Sequence, residues 1–204
     1  MKISLEGKSA LVGGSSKGIG FGIAKQLAES GASVCLMARD EKKMKELVQS
    51  LPSNNSQEHS YLVVDFSDFD SFKNIIDEYL SDRHVDILIN NTQGVPAGNS
   101  LSKSIDDYQN AFDILFKCVV YTSSIALNKM REKRWGRIIK LTSISVKEPL
   151  NYLVLSNSIR AAVVTWGKSL SVDLAPLGLS LIHISEPTRR RGIAYAVLSL
   201  KKIR

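Results

Sequence analysis

The chain has 204 residues, 44% hydrophobic and 23% charged, which is enough for one α/β domain with a substantial core and too few for two. No apolar run approaches the roughly 18 residues of a membrane helix, and "MKISLEGKSALVGG" lacks the basic, apolar and small-residue regions of a secretory signal, so a cytoplasmic location is the default expectation. The net charge of +7 does not imply nucleic acid, because residues 179–204 hold six basic residues against one acid and leave 21 basic against 19 acidic elsewhere; a near-neutral body offers no footprint for DNA or RNA.

Short apolar runs alternate with amphipathic segments, the pattern of a parallel sheet covered by helices. The first strand is predicted at 9–12, followed by "GGSSKGIG" at 13–20 and a helix over 18–30. Gly14, Gly18 and Gly20 let the backbone turn tightly and approach a pyrophosphate, while the helix N-terminus supplies free N–H groups and partial positive charge. A second strand over 33–37 leads to "ARD". A carboxylate at that tip would accept from the ribose 2′-OH of NAD; Arg39, together with Lys17 in the glycine loop, suits the 2′-phosphate of NADP(H) instead. Asp40 is expected to begin or cap the next helix, 41–51. A polar loop at 51–59 precedes strand 61–64, helix 68–80, strand 85–90, helix 104–130, strand 136–141 and helix 156–174. Cys35 and Cys118 fall inside apolar elements and read as reduced, buried and inert. The isolated His59 and His84 read as structural or solvated, Trp135 as packing at the turn into the fifth strand, Trp166 as core or interface, and the Arg and Lys cluster of 131–137 as a solvated turn.

Together the glycine loop, "VVDFSD", "ILINNTQG" and "GRIIKLTSIS" resemble the short-chain dehydrogenase/reductase family over residues 5–178, and the combination "NNT", "TSISVKEP" and "LVLSNSIRAAV" resembles a subgroup of it similar to 3-oxoacyl-acyl-carrier-protein reductases. Gly13 stands where the family usually has Thr, Asn90 and Asn91 match "NNAG", and Asp65 with the backbone after it matches the adenine-contacting turn. The resemblance implies a Rossmann-type doubly wound parallel sheet flanked by helices. It implies NADP(H) held by Gly14, Ser16, Lys17, Gly18, Ile19, Gly20, Arg39, Asp65, Phe66 and Asn91. It further implies a small-molecule carbonyl or alcohol substrate, no nucleic-acid or membrane partner, and a homo-oligomer built through the helices of 104–130 and 156–174.

The same resemblance puts Ser143 in the place of the catalytic serine and then departs from the family. The family's tyrosine lies thirteen residues after that serine and its lysine four further on, positions occupied here by Ser156 and Arg160; its supporting asparagine falls on Leu115. A tyrosine hydroxyl, with a pKa of about 10, can be lowered toward neutrality by a neighbouring lysine and act as general acid. A serine hydroxyl cannot, and an arginine stays protonated. Three readings stand at this stage. Ser143, Ser156 and Arg160 hydrogen-bond a developing oxyanion while water or substrate supplies the proton; Tyr152, one turn before Ser156, replaces the missing acid, although packing is its expected job; or the domain binds NADP(H) without turnover.

The family pattern is expected to stop near Gly178, leaving a C-terminally truncated sheet. The following "LSLIHISEPTR" resembles the translation of a transposase-type sequencing-library adapter, and "IAYAVLSLKK" resembles its continuation with mismatches at Ala194, Leu198 and Ser199. Residues 1–178 are therefore read as the NADP-binding domain and 179–204 as non-native read-through. The alternation in "LSLIHIS" is enough to seat it as an edge strand whatever its origin.

Overall fold

The computed structural model describes residues 3–54 and 56–186. Six parallel strands form one sheet in the order β3-β2-β1-β4-β5-β6, with β1 at Ser9–Gly13, β2 at Ser33–Ala38, β3 at Ser60–Val63, β4 at Ile87–Asn90, β5 at Gly136–Ser143 and β6 at Leu179–Glu186. The central strands are mostly apolar because both faces are covered. On one face Ala10, Val12, Leu36 and Ile139 pack under α1 (Gly18–Glu29) and α2 (Glu41–Gln49). On the other, Leu11, Leu88 and Ile138 meet Phe72 and Ile76 of α3 (Phe69–Asp82), Met130 of α5 (Cys118–Glu132) and Leu174 of α6 (Val154–Leu174).

Several local expectations hold. Asp40 caps α2 by accepting from the Lys43 amide at 3.0 Å; a capping box of Ser104 and Asp107 on α4 (Ile105–Phe112) was not read from the sequence. His59 accepts from the Val34 amide, and His84 lies 2.9 Å from the buried Asp86. Burial opposes ionisation of Asp86, but the Ser9 amide, His84 and Lys8 outweigh it and hold the carboxyl below its usual range. Both cysteines are free and buried, and burial pushes the Cys118 thiol up to about 12. Trp135 packs against the α1 face with Lys8 and Arg137 over its ring.

Others are corrected. β4 starts at Ile87 rather than residue 85, and the Asp86 carboxylate before it accepts from the Ser9 amide. Arg137 is not part of a solvated turn; it is buried and donates to the Gly136 carbonyl at 3.0 Å. Tyr152 is not a packed residue of the core but an exposed one, at 55%.

The predicted helix 104–130 is not one α-helix. A π-helical turn at Asp113–Lys117 separates α4 from α5. Ala111, Leu115, Val119, Ser123 and Leu127 are all buried, a four-residue repeat. At about 100° per residue such a stripe drifts roughly 160° over sixteen residues, and one extra residue in a wide turn takes back roughly 100°. The span Ile105–Glu132 is also long and apolar enough, by length and composition, to cross a membrane, unlike the expectation from the sequence, yet half of its most apolar 18-residue window is buried within the protein.

A polar row crosses the α5–α6 face of the sheet, with Lys140 in register between Asn90 and His183. Asn90 donates to Ser123 Oγ at 2.9 Å. Lys140 is 1% exposed, and its ammonium has no hydrogen-bond partner among the described residues, lying 3.6 Å from the centroid of the Trp166 ring. Both His183 ring nitrogens are likewise buried and unpartnered. Gly167 makes the room, since a Cβ there would collide with the His183 ring and the Lys140 ammonium. Burial brings Lys140 down to about 7; burial and then the charges of Lys140 and Lys168 bring His183 down to about 4. Between those values and the usual ones the unfolded chain binds more protons than the folded one, so stability rises with pH. Denaturant unfolding from pH 4 to 10 is expected to show that rise, and Lys140→Met to flatten it above pH 7 while raising stability at pH 6 by at least about 1 kcal/mol. A variant that keeps the slope above pH 7 would show that Lys140 is not its source.

Candidate active site

A parallel sheet brings the C-terminal ends of its strands to one side, and in this order the chain reverses direction between β1 and β4, where ligands bind in open α/β sheets. The loops meeting there carry the candidate residues. Ser15, fully buried, ties the glycine loop to β2: its amide donates to the Met37 carbonyl and its Oγ accepts from the Met37 amide at 2.9 Å. Asn91 holds the loop from the other side, its Nδ2 donating to the carbonyls of Gly13 and Gly14, each at 3.2 Å. A Cβ on Gly13 would collide with the Asn91 carbonyl, and one on Gly20 with the Gly14 carbonyl. Gly14 and Gly18 have positive φ of 54° and 59°. Positions 13, 14, 18 and 20 therefore require glycine, and no side chain caps α1, whose first turn has no acid. These features fit a dinucleotide pyrophosphate. Asn91, counted from the sequence among the cofactor positions, is engaged with the loop itself and shapes the cradle.

Arg39 and Lys17 are exposed at the adjoining strand tip and loop. The Arg39 guanidinium lies 3.9 Å from the Asp65 carboxylate, both side chains being substantially exposed. Asp65 Oδ1 accepts from the Ser67 amide at 2.9 Å and its hydroxyl at 2.6 Å. Burial opposes the charge on Asp65; the Ser67 hydrogen bonds, Arg39 and the Gln93 carboxamide outweigh it and keep the carboxyl below its usual range. The Phe66 side chain is buried against Phe72, so only its backbone can face a ligand. Ser16 and Ile19 are half-buried on the loop.

Ser143 ends β5. Its Oγ accepts from the Ser145 amide at 3.2 Å and the Ser145 hydroxyl at 2.9 Å, which leaves its own proton available to donate. Ser145, buried and not singled out from the sequence, is legible only as the second serine of "TSIS". On α6, Arg160 Nε donates to Ser156 Oγ at 3.2 Å, and its Nη1 donates to the Leu141 carbonyl of β5 at 2.7 Å. Ser143, Ser156 and Arg160 thus gather at the C-terminal end of β5, with the guanidinium as a strut between strand and helix. Leu115 is buried in the core. The Tyr152 carbonyl accepts from the Gly98 amide at 2.7 Å.

The sequence pattern of the short chain dehydrogenase family matches residues 8–187. An uncharacterized oxidoreductase of Staphylococcus epidermidis is 32% identical over 183 residues, covering 87% of this chain and 76% of its own. A 3-oxoacyl-[acyl-carrier-protein] reductase of Chlamydia pneumoniae is 33% identical over 178 residues, covering 86% and 71%. Among solved structures, L-sorbose reductase from Gluconobacter frateurii, complexed with NADPH and L-sorbose, superposes with a TM-score of 0.84 at 26% identity over 91% of this chain and 71% of that one. A 3-oxoacyl (acyl-carrier-protein) reductase from Agrobacterium tumefaciens with NADP bound gives 0.83 at 26% identity, covering 90% and 70%.

Gly20→Ala should displace the Gly14 carbonyl and with it the cradle. The expected outcome is a loss of about 1–3 kcal/mol in thermal unfolding together with loss of measurable NADPH binding by fluorescence titration; unchanged binding would show that the loop is not the pyrophosphate site.

Proposed function

Because the chain belongs to the short-chain dehydrogenase/reductase family of oxidoreductases, we propose that it is an NADP(H)-dependent enzyme interconverting a small-molecule carbonyl and its alcohol, with 3-oxoacyl thioesters the first class to test. The observation that carries this reading is the placement of Ser143, with its proton left to donate, at the same sheet edge as the glycine loop and Arg39. Gly14, Gly18, Gly20 and the α1 N-terminus hold the pyrophosphate, Lys17 and Arg39 the 2′-phosphate, and Asp65 with the Phe66 backbone the adenine. The bound nicotinamide supplies or accepts hydride. Ser143 donates to the substrate oxygen as negative charge builds on it, and Ser156, oriented by Arg160, is the second donor. Neither Ser156 nor Arg160 replaces a tyrosine as proton source, so water or substrate does.

One observation favours a second reading, a non-catalytic NADP(H)-binding sensor or assembly subunit: Arg160 already donates to the Leu141 carbonyl, and no hydroxyl or guanidinium here titrates near neutrality. In either reading the protein assembles as a homo-oligomer through α5 and α6, and residues 1–178 form the working domain. Source DNA read across the Gly178 codon is expected to continue into further α/β sequence rather than encode "LSLIHISEPTRRR".

NADPH is expected to bind at least about tenfold more tightly than NADH, a difference of about 1.4 kcal/mol, and Arg39→Ala to remove most of it. Ser143→Ala is expected to lower kcat for NADPH oxidation by about a hundredfold. Tight NADPH binding with no oxidation across a carbonyl panel would leave the non-catalytic reading, and equal binding of NADH would overturn the roles of Lys17 and Arg39.

A further inference from the structure

Two serines stand two residues apart where β5 ends, and the proposed chemistry uses only the first. Ser143 is half-buried in extended backbone at the strand end; Ser145 follows in a 3₁₀ turn, Ile144–Val146, and is fully buried. The Ser145 amide donates to Ser143 Oγ at 3.2 Å, an ordinary cap on that turn. The Ser145 hydroxyl donates to the same oxygen at 2.9 Å, a bond that a cap does not require.

Burial fixes the direction of this second bond. Ser145 Oγ has no other hydrogen-bond partner among the described residues. Were Ser143 the donor instead, the Ser145 proton would be sealed in without an acceptor, the costly arrangement for a buried polar group. Both acceptor sites of Ser143 Oγ are therefore filled from within the turn, and none of the described residues accepts the Ser143 proton. The Ser143 hydroxyl is left as a donor only, directed away from the buried side of the turn. Two donors on its oxygen also polarise the O–H bond and strengthen it as a donor.

We propose that Ser145 is a positioning residue for the reaction: by occupying both acceptor sites of Ser143 it commits that hydroxyl to the substrate oxygen, and it acts through Ser143 alone. This rests on the carbonyl–alcohol oxidoreductase reading with Ser143 at the substrate oxygen, and adds a residue that reading leaves without a role.

The test is a double-mutant cycle on the full chain, made of wild type, Ser143→Ala, Ser145→Ala and the double variant, with Ser145→Cys alongside as a variant of similar volume and poor donor strength. Binding of NADPH is measured for each, and kcat and KM for NADPH oxidation with whichever 3-oxoacyl thioester, ketone or aldehyde of a panel the wild type reduces fastest. Ser145→Ala and Ser145→Cys are each expected to lower kcat about tenfold, near the upper end for one neutral hydrogen bond, with KM and NADPH binding held within about twofold. Once Ser143 is already Ala, Ser145→Ala is expected to change kcat by less than about twofold. A fall of equal size in the Ser143→Ala background would mean that Ser145 only shapes the turn and overturns the proposal. So does an unchanged kcat in either Ser145 variant that binds NADPH, or loss of NADPH binding in both, which would place Ser145 in the framework of the fold. Each of these leaves the oxidoreductase reading standing. Wild type that binds NADPH and oxidises it with no member of the panel overturns that reading and the role of Ser145 together.

Discussion

The organisation of the site depends on a pair of hydrogen bonds from one carboxamide, that of Asn91, to two successive carbonyls of the glycine loop. Those carbonyls belong to residues with no room for a Cβ, so the contact forms only if positions 13 and 14 stay glycine. Ser15 closes the arrangement from the β2 side. The tips of β1, β2 and β4 are thereby joined into one rigid rim, and the loops bearing Arg39, Asp65 and Gln93 take their places relative to it. Rigidity of this kind favours binding, because little order has to be created when a ligand arrives.

At the end of β5 the proposed site would draw on weak acids and a permanent cation. Ser143 receives two hydrogen bonds from Ser145, and Arg160 fastens α6 to β5 while supporting Ser156. Such a group can stabilise charge without exchanging protons at neutral pH. A catalyst of this design responds to pH through its substrate and solvent rather than through a tuned side chain.

Much of this was legible in the sequence because it depends on local rules. Strand and helix order followed from alternating apolar runs, the cradle from its glycines, and the Asp40 cap from its position before an amphipathic segment. The break at Asp113–Lys117 was written in the spacing of Ala111, Leu115, Val119, Ser123 and Leu127, but the residues look helical to any test that assumes a single pitch. Arg137 looked solvated, but it is buried where β5 runs between β4 and β6, an environment set by strand pairing distant in sequence. The engagement of Asn91 was hidden because its partners, Gly13 and Gly14, are distant in sequence, and Ser145 because its bond to Ser143 forms only where the chain turns after β5.

The polar row beneath α6 has a further consequence for the edge of the sheet. Lys140 is sealed between Trp166 and His183, and the strand that seals it is β6, the outermost in the order. The ammonium gains its solvation only when that strand moves away. Acid and the edge strand therefore compete for the same side chain, and lowering the pH weakens the last rung of the sheet before it weakens the interior. Hydrogen exchange along β6 would then quicken relative to the central strands as protons are added, and the bared edge of β5 would become the surface through which copies of the chain first adhere.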